Sequence, residues 1–266
     1  MVWFKDGPSP GEEKLTYEAY LKVPELLALQ VPQSTPAEHD EVMFIVVHQT
    51  YELWFRLILH EIDEAARRMD AGDVREAARL LRRVVEIQRV LAAQIHVLET
   101  MLPADFLRFR DRLKPASGFQ SAQFREIEFA AGLSDRAVLA FFADGTAARA
   151  RLDRRLAEPT LRDRFFALLA REGLPSGDRA ARLEALRALY AEGLSGRRLD
   201  LRDLAEALLD FDEWLSLWRF HHVRMAEREI GSKPGTGGSD GVQYLAQTLE
   251  RKPHAFPELW EVRTVL

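Results

Sequence analysis

The sequence predicts an all-α protein: a single helical domain of long antiparallel helices enclosing a pocket, with an inserted helical segment. Three observations carry this. Ala, Leu, Arg and Glu dominate, while β-branched residues alternating with polar ones are nearly absent. Apolar residues recur at helical spacing over long stretches. Helix starts are legible as capping signals.

Thr35-Pro36-Ala37-Glu38 reads as a capping box with Pro at the first helical position, which predicts a helix over 36–70. Asp73 after Gly72 reads as the cap of a helix over 74–102. Asp200 marks the start of a third long helix, 200–230. Shorter helices are predicted near 104–112, 121–131, 134–143, 160–172 and 178–192, the fourth opened by Thr160-Leu161-Arg162-Asp163. From about 132 to 199 the chain is rich in Ala and Arg and broken by Gly and Pro, without long buried faces. It reads as a helical insertion, so the domain is taken as 1–266.

Composition narrows the function. The 266 residues carry 37 Lys+Arg and 42 Asp+Glu, a net charge of −5, and no basic run suited to nucleic acid. With no Cys there is no disulfide and no thiolate ligand or nucleophile. The longest apolar run, Ala137 to Ala143, falls far short of the ~20 residues that span a bilayer. The opening residues MVWFKDGPSP hold no apolar signal core. A soluble cytoplasmic protein is expected.

Two of the seven His residues sit on apolar stripes. His48 lies amid Phe44, Val47, Tyr51, Phe55, Ile58 and Ile62, and His222 shares a face with Leu204, Leu208, Phe211, Leu215, Trp218 and Met225. Each alone reads as a core histidine bonded to a carbonyl. Together they allow a pocket with an imidazole on either wall, one free to ligate a metal or haem. Other metal and hydrolase patterns fail. His60-Glu61-Ile62-Asp63-Glu64 lacks the second His of a zincin, no His has Glu three positions before it, and G-x-S-x-G is absent.

Two loops interrupt the helices. The first, 114–121, follows a helix on which Phe106 and Arg110 share a face, an aromatic ring beside a guanidinium able to grip a carboxylate. The second, 231–241, holds five of the 15 glycines and reads either as a linker or as a lid that closes over substrate.

The stretches LTYEAYLKVPELL (15–27), HDEVMFIVVHQTYELWFRLILHEI (39–62), FRDRLKPASGFQSAQFREIE (109–128), LWRFHHVRMAEREIG (217–231) and KPGTGGSDGVQYL (233–245) resemble, in order and spacing, the haem-containing tryptophan 2,3-dioxygenases. The resemblance implies an all-helical homotetramer, a dimer of dimers, with one haem b (iron protoporphyrin IX) per subunit. It implies the insertion of both atoms of O2 across the indole C2–C3 bond of L-tryptophan to give N-formyl-L-kynurenine, the first step of tryptophan breakdown by the kynurenine route. Carried over by position, His222 is the axial ligand of the haem iron and His48 is the catalytic distal histidine that hydrogen-bonds the indole N–H. Arg110 binds the substrate carboxylate and Thr236 its carboxylate and ammonium. Phe44 and Phe106 line the indole slot, and Ser117 lies near the haem. Tyr17, Tyr20 and Leu21, in an N-terminal segment of about 1–30, reach a neighbouring subunit's pocket. The chain departs from the family pattern at Phe106, where some members have Tyr, at Ile95, where some have Trp, and at Asp240, where many have Ser. The last two leave open a related enzyme that mono-oxygenates a substituted tryptophan or indole. A haem-binding module without turnover is the third reading.

Overall fold

The computed structural model describes residues 15–174, 176–191, 196–237, 241–251 and 254–266. In chain order its helices are α1 (Tyr17–Leu21), α2 (Val23–Leu27), α3 (His39–Ala71), α4 (Val74–Leu98), α5 (Pro103–Arg110), α6 (Ala122–Ala131), α7 (Ala147–Ala157), α8 (Leu161–Arg171), α9 (Arg179–Ala191), α10 (Gly196–Ile230), α11 (Val242–Arg251) and α12 (Pro257–Glu261). Among the described residues there is no strand.

Helices α3, α4 and α10 form the core because each devotes one stripe to apolar side chains. Phe55, Ile58 and Ile62 of α3 meet Leu81, Val84 and Ile95 of α4 and Leu204, Leu208 and Phe211 of α10, all buried. Buried polar groups fix how these helices sit against one another. The Tyr51 hydroxyl donates to the Leu91 carbonyl at 3.0 Å, and Gln88 Nε2 donates to the Phe211 carbonyl at 3.1 Å. The turn from α3 into α4 needs only Gly72, whose φ of 76° is the left-handed value that glycine adopts without strain. By length and composition α3 is the one described helix apolar enough to cross a membrane. In this fold one face of it packs against α4, α6 and α8.

The structure moves several predicted boundaries. Helix α3 begins at His39, not at 36, because the polar residues ahead of it build a loop. The Glu41 carboxylate accepts from the Gln33 N–H at 2.6 Å, the Ser34 N–H at 3.1 Å and the Ser34 hydroxyl, while Ser34 Oγ accepts from the Glu38 N–H at 2.9 Å. Asp73 precedes α4 as predicted but does not cap it; its carboxylate accepts from Arg68 at 3.0 Å instead. Helix α4 stops at Leu98, short of 102, and Pro103 opens α5 after a 91° bend. That bend carries Phe106 and Arg110 across the end of the core. Helix α10 starts at Gly196, ahead of Asp200. The Thr160 capping box is present, its hydroxyl oxygen accepting from the Asp163 N–H at 3.1 Å.

The 132–199 segment is better packed than its composition suggests. Phe165, Phe166, Leu168 and Leu169 of α8 and Leu186 and Leu189 of α9 are buried in the main core. Its arginines cover the surface and close helix ends: Arg171 donates to the carbonyls of Met69 (2.6 Å) and Asp70 (2.7 Å) at the C-terminus of α3.

Candidate functional site

A cavity of about 290 Å3 lies where α3, α5, α6 and α10 converge, roofed by the loops 114–121 and 231–237. His48 enters from α3 and His222 from α10. The Phe44 carbonyl can only accept, so its 2.7 Å contact with His48 Nδ1 places the proton on that nitrogen. Nε2 of His48 is left with a lone pair. Crowding by neighbouring atoms lowers the His48 pKa against the pull of that carbonyl and of Glu52, which keeps the ring neutral. The Phe44 ring centre lies 4.0 Å from that of His48 and 5.6 Å from that of Phe106, forming an aromatic wall beside the free nitrogen.

On the opposite wall burial pushes the His222 pKa down to about 4, reinforced by His48 and Arg125. A neutral imidazole is the form that ligates a metal. The described residues hold no group of three or more His, Cys, Asp or Glu able to bind a metal. One neutral imidazole on an apolar wall is what a haem, which brings its other iron ligands with it, would need from the protein. The rest of the wall fits such a guest. It is largely apolar, with Leu98, Met101, Phe124 and Trp218, and it carries Arg125, whose buried Nε–H has no partner among the described residues. A guanidinium N–H left dry in this way suits the carboxylate of a porphyrin side chain.

The substrate end is built around Arg110, buried on α5. Its Nη2 donates to the Pro234 carbonyl of the Gly-rich segment, and its Nε–H is buried and unpartnered among the described residues. The two loops are seated on each other. The Thr236 hydroxyl donates to the Ala116 carbonyl at 2.6 Å, and a Cβ on Gly237 would meet Ser117 Cβ at 2.6 Å, so only glycine fits there. The segment is thus a closed cover, which favours the lid reading over a linker.

Of the residues singled out from sequence, Phe44, His48, Phe106, Arg110, Ser117, His222 and Thr236 line this one cavity. Ile95 does not: it is buried in the main core against α10. Tyr17, Tyr20 and Leu21 lie on α1, exposed and away from the chain's own core. Asp240 lies outside the described residues.

Sequence reasoning missed Arg125, Glu128 and Glu229. The first two share the buried stripe of α6 with Ala122 and Phe129, and that spacing was the available signal. Glu229 is buried on the cavity wall, and neither carboxyl oxygen has a partner among the described residues. Burial raises its pKa, Arg228 partly offsets this and the charge of Glu99 adds to it. A raised folded-state pKa means stability present below the ordinary glutamate value of 4.5 and lost as pH rises through the folded value. Glu229→Leu in the haem-free protein is expected to gain about 1–3 kcal/mol at mildly alkaline pH, the gain shrinking as the pH is lowered. Denaturant unfolding at several pH values measures it, and a gain independent of pH would contradict it.

Comparison with known proteins places the chain in a family. The family model described as tryptophan 2,3-dioxygenase matches residues 5–171 and 173–266. A protein of Nocardioides sp. (strain ATCC BAA-499 / JS614) named tryptophan 2,3-dioxygenase is 48% identical over 263 residues, 96% of this chain and 97% of its own length. Proteins of the same name from Herpetosiphon aurantiacus and Caulobacter vibrioides are 45% and 44% identical, each over 96% of this chain and 99% of their own. The chain belongs to the tryptophan 2,3-dioxygenase family.

Proposed function

We propose that the chain is a haem-dependent dioxygenase that inserts both atoms of O2 across the indole C2–C3 bond of L-tryptophan, giving N-formyl-L-kynurenine. The observation that carries this is the pairing of two neutral imidazoles across one apolar cavity, with a buried arginine at its mouth. His222 would hold the haem iron and the Nε–H of Arg125 would meet a haem carboxylate; when bound, the haem supplies a redox-active iron for O2 chemistry. The protein's own work is to position and enclose. Indole packs against the wall that Phe44 and Phe106 form together, and its N–H donates to His48 Nε2, which orients the ring without removing a proton. The substrate carboxylate takes the free edge of Arg110, with Thr236 beside it. The cover formed by 231–237 excludes water from the reacting ring.

The same reading gives a cytoplasmic homotetramer, one haem per subunit, in which 1–266 acts as one domain. Its support is the N-terminal arm. Helices α1 and α2 bury none of their residues, and Tyr17 (76%) and Tyr20 (70%) stand exposed on them, side chains suited to filling an aromatic pocket on a neighbour. Removing residues 1–22 is expected to disrupt assembly and to weaken substrate affinity together. Light scattering and substrate titration check this; an unchanged tetramer with unchanged affinity removes Tyr17, Tyr20 and Leu21 from the site.

The test of the activity is turnover of L-tryptophan by the reduced, haem-loaded protein under isotopically heavy O2. Product with the mass of N-formylkynurenine carrying two heavy oxygens supports the proposal. Product with a single heavy oxygen, a hydroxylated indole, replaces it with mono-oxygenation.

A further inference from the structure

Trp218 and His222 stand one turn apart on α10, and their rings lie face to face, centroids 5.3 Å apart and planes within 8°. Residues at this spacing share a helix face, but nothing in the helix requires their rings to be parallel. Here the parallel arrangement is imposed from outside. Tyr51 meets the Trp218 ring edge-on at 5.9 Å and Phe55 at 6.1 Å, both from α3, while Phe124 of α6 closes the third side at 4.9 Å. Tyr51 is itself tied down, its hydroxyl donating to the Leu91 carbonyl at 3.0 Å. The Trp218 Nε1–H is buried beside that hydroxyl without completing a hydrogen bond to it.

A ligating imidazole needs its ring rotation set, and in many sites its second ring nitrogen donates to a carboxylate or a carbonyl that does so. At His222 the parallel indole of Trp218 lies against the ring from the same helix.

We propose that Trp218 is the positioning residue for the imidazole that would hold the iron: its boxed indole face sets the rotation of the His222 ring. The inference rests on the reading that His222 ligates the haem iron. One consequence follows: the ring loses little freedom on binding iron, because the stack already holds it.

The test compares Trp218→Phe, which keeps a ring plane in the box, with Trp218→Leu, which keeps only apolar bulk. Hemin affinity is read from a Soret titration. Ring orientation is read from the iron–histidine stretching band of the dithionite-reduced protein. Thermal unfolding of the haem-free proteins separates positioning from stability. The Leu variant is expected to bind hemin about tenfold more weakly, with a broadened or divided iron–histidine band. The Phe variant is expected to restore one band and an affinity within about twofold of the wild type. If the Leu variant does not fold, Trp218→Met fills the space without a ring and is held to the same outcome. A folded Leu or Met variant with wild-type hemin affinity and an unchanged band overturns the inference alone. A wild-type protein that takes up no hemin overturns it together with the reading beneath it.

Discussion

His222→Ala protein is expected to purify colourless and to stay so when hemin is added, while His48→Ala takes up hemin like the wild type. The asymmetry follows from what each imidazole can do. His222 is the neutral ring on its wall, and the described residues offer no cluster that could replace it. Its loss leaves the guest with apolar contacts and Arg125 alone, and hemin affinity should fall by more than about 100-fold. His48 has its Nδ1 committed to the Phe44 carbonyl, and its free nitrogen serves the substrate. Removing it strands the indole N–H without an acceptor, a loss of about 1–3 kcal/mol, or roughly 5–150-fold in kcat/KM. Pigment content and steady-state kinetics of the two variants decide the matter. Equal haem occupancy in both contradicts the assignment of the two walls.

Arg110→Ala is expected to retain haem but to bind L-tryptophan about 30–150-fold more weakly, the equivalent of about 2–3 kcal/mol for a charge-assisted contact. The guanidinium is already placed for this. It is buried, one nitrogen holds the Pro234 carbonyl of the cover, and its Nε–H awaits an acceptor. The variant loses both the carboxylate grip and the anchor of the 231–237 segment. Tryptamine, which lacks the carboxylate, is the control: its affinity should change far less than that of L-tryptophan. Parallel losses for the two ligands would show that Arg110 shapes the pocket and does not read the carboxylate.

The long helices were legible because burial of one stripe leaves a periodicity in the residues themselves, and His48 and His222 stood out as polar interruptions of two such stripes. Elements without that imprint were missed. Helix α7 buries only Leu152 and Arg155: Leu152 packs with Ala122 and Phe129 of α6, and Arg155 reaches Asp63 of α3 at 2.5 Å. Helices α1 and α2 bury nothing within the chain, so no apolar stripe marks them. Long-range pairing decided the site as well. Sharing a face with Phe106 is the one local mark of Arg110; its burial and its bond to the Pro234 carbonyl come only with the fold. Arg125 and Glu229 likewise take their meaning from the helices that shut water away from them. Thr35 was misread for the opposite reason: its capping pattern is real as sequence, but Glu41 captures the backbone of Gln33 and Ser34 and delays the helix.

The central claim is that one iron porphyrin sits in the cavity between the α3 and α10 histidines, with room beside it for L-tryptophan. A hemin titration of the wild-type protein, followed by addition of L-tryptophan to the reduced form, tests it most directly. The account predicts saturation at one hemin per chain, a histidine-ligated spectrum and a further spectral shift with L-tryptophan. Protein that stays colourless, or a bound haem indifferent to L-tryptophan, would contradict it.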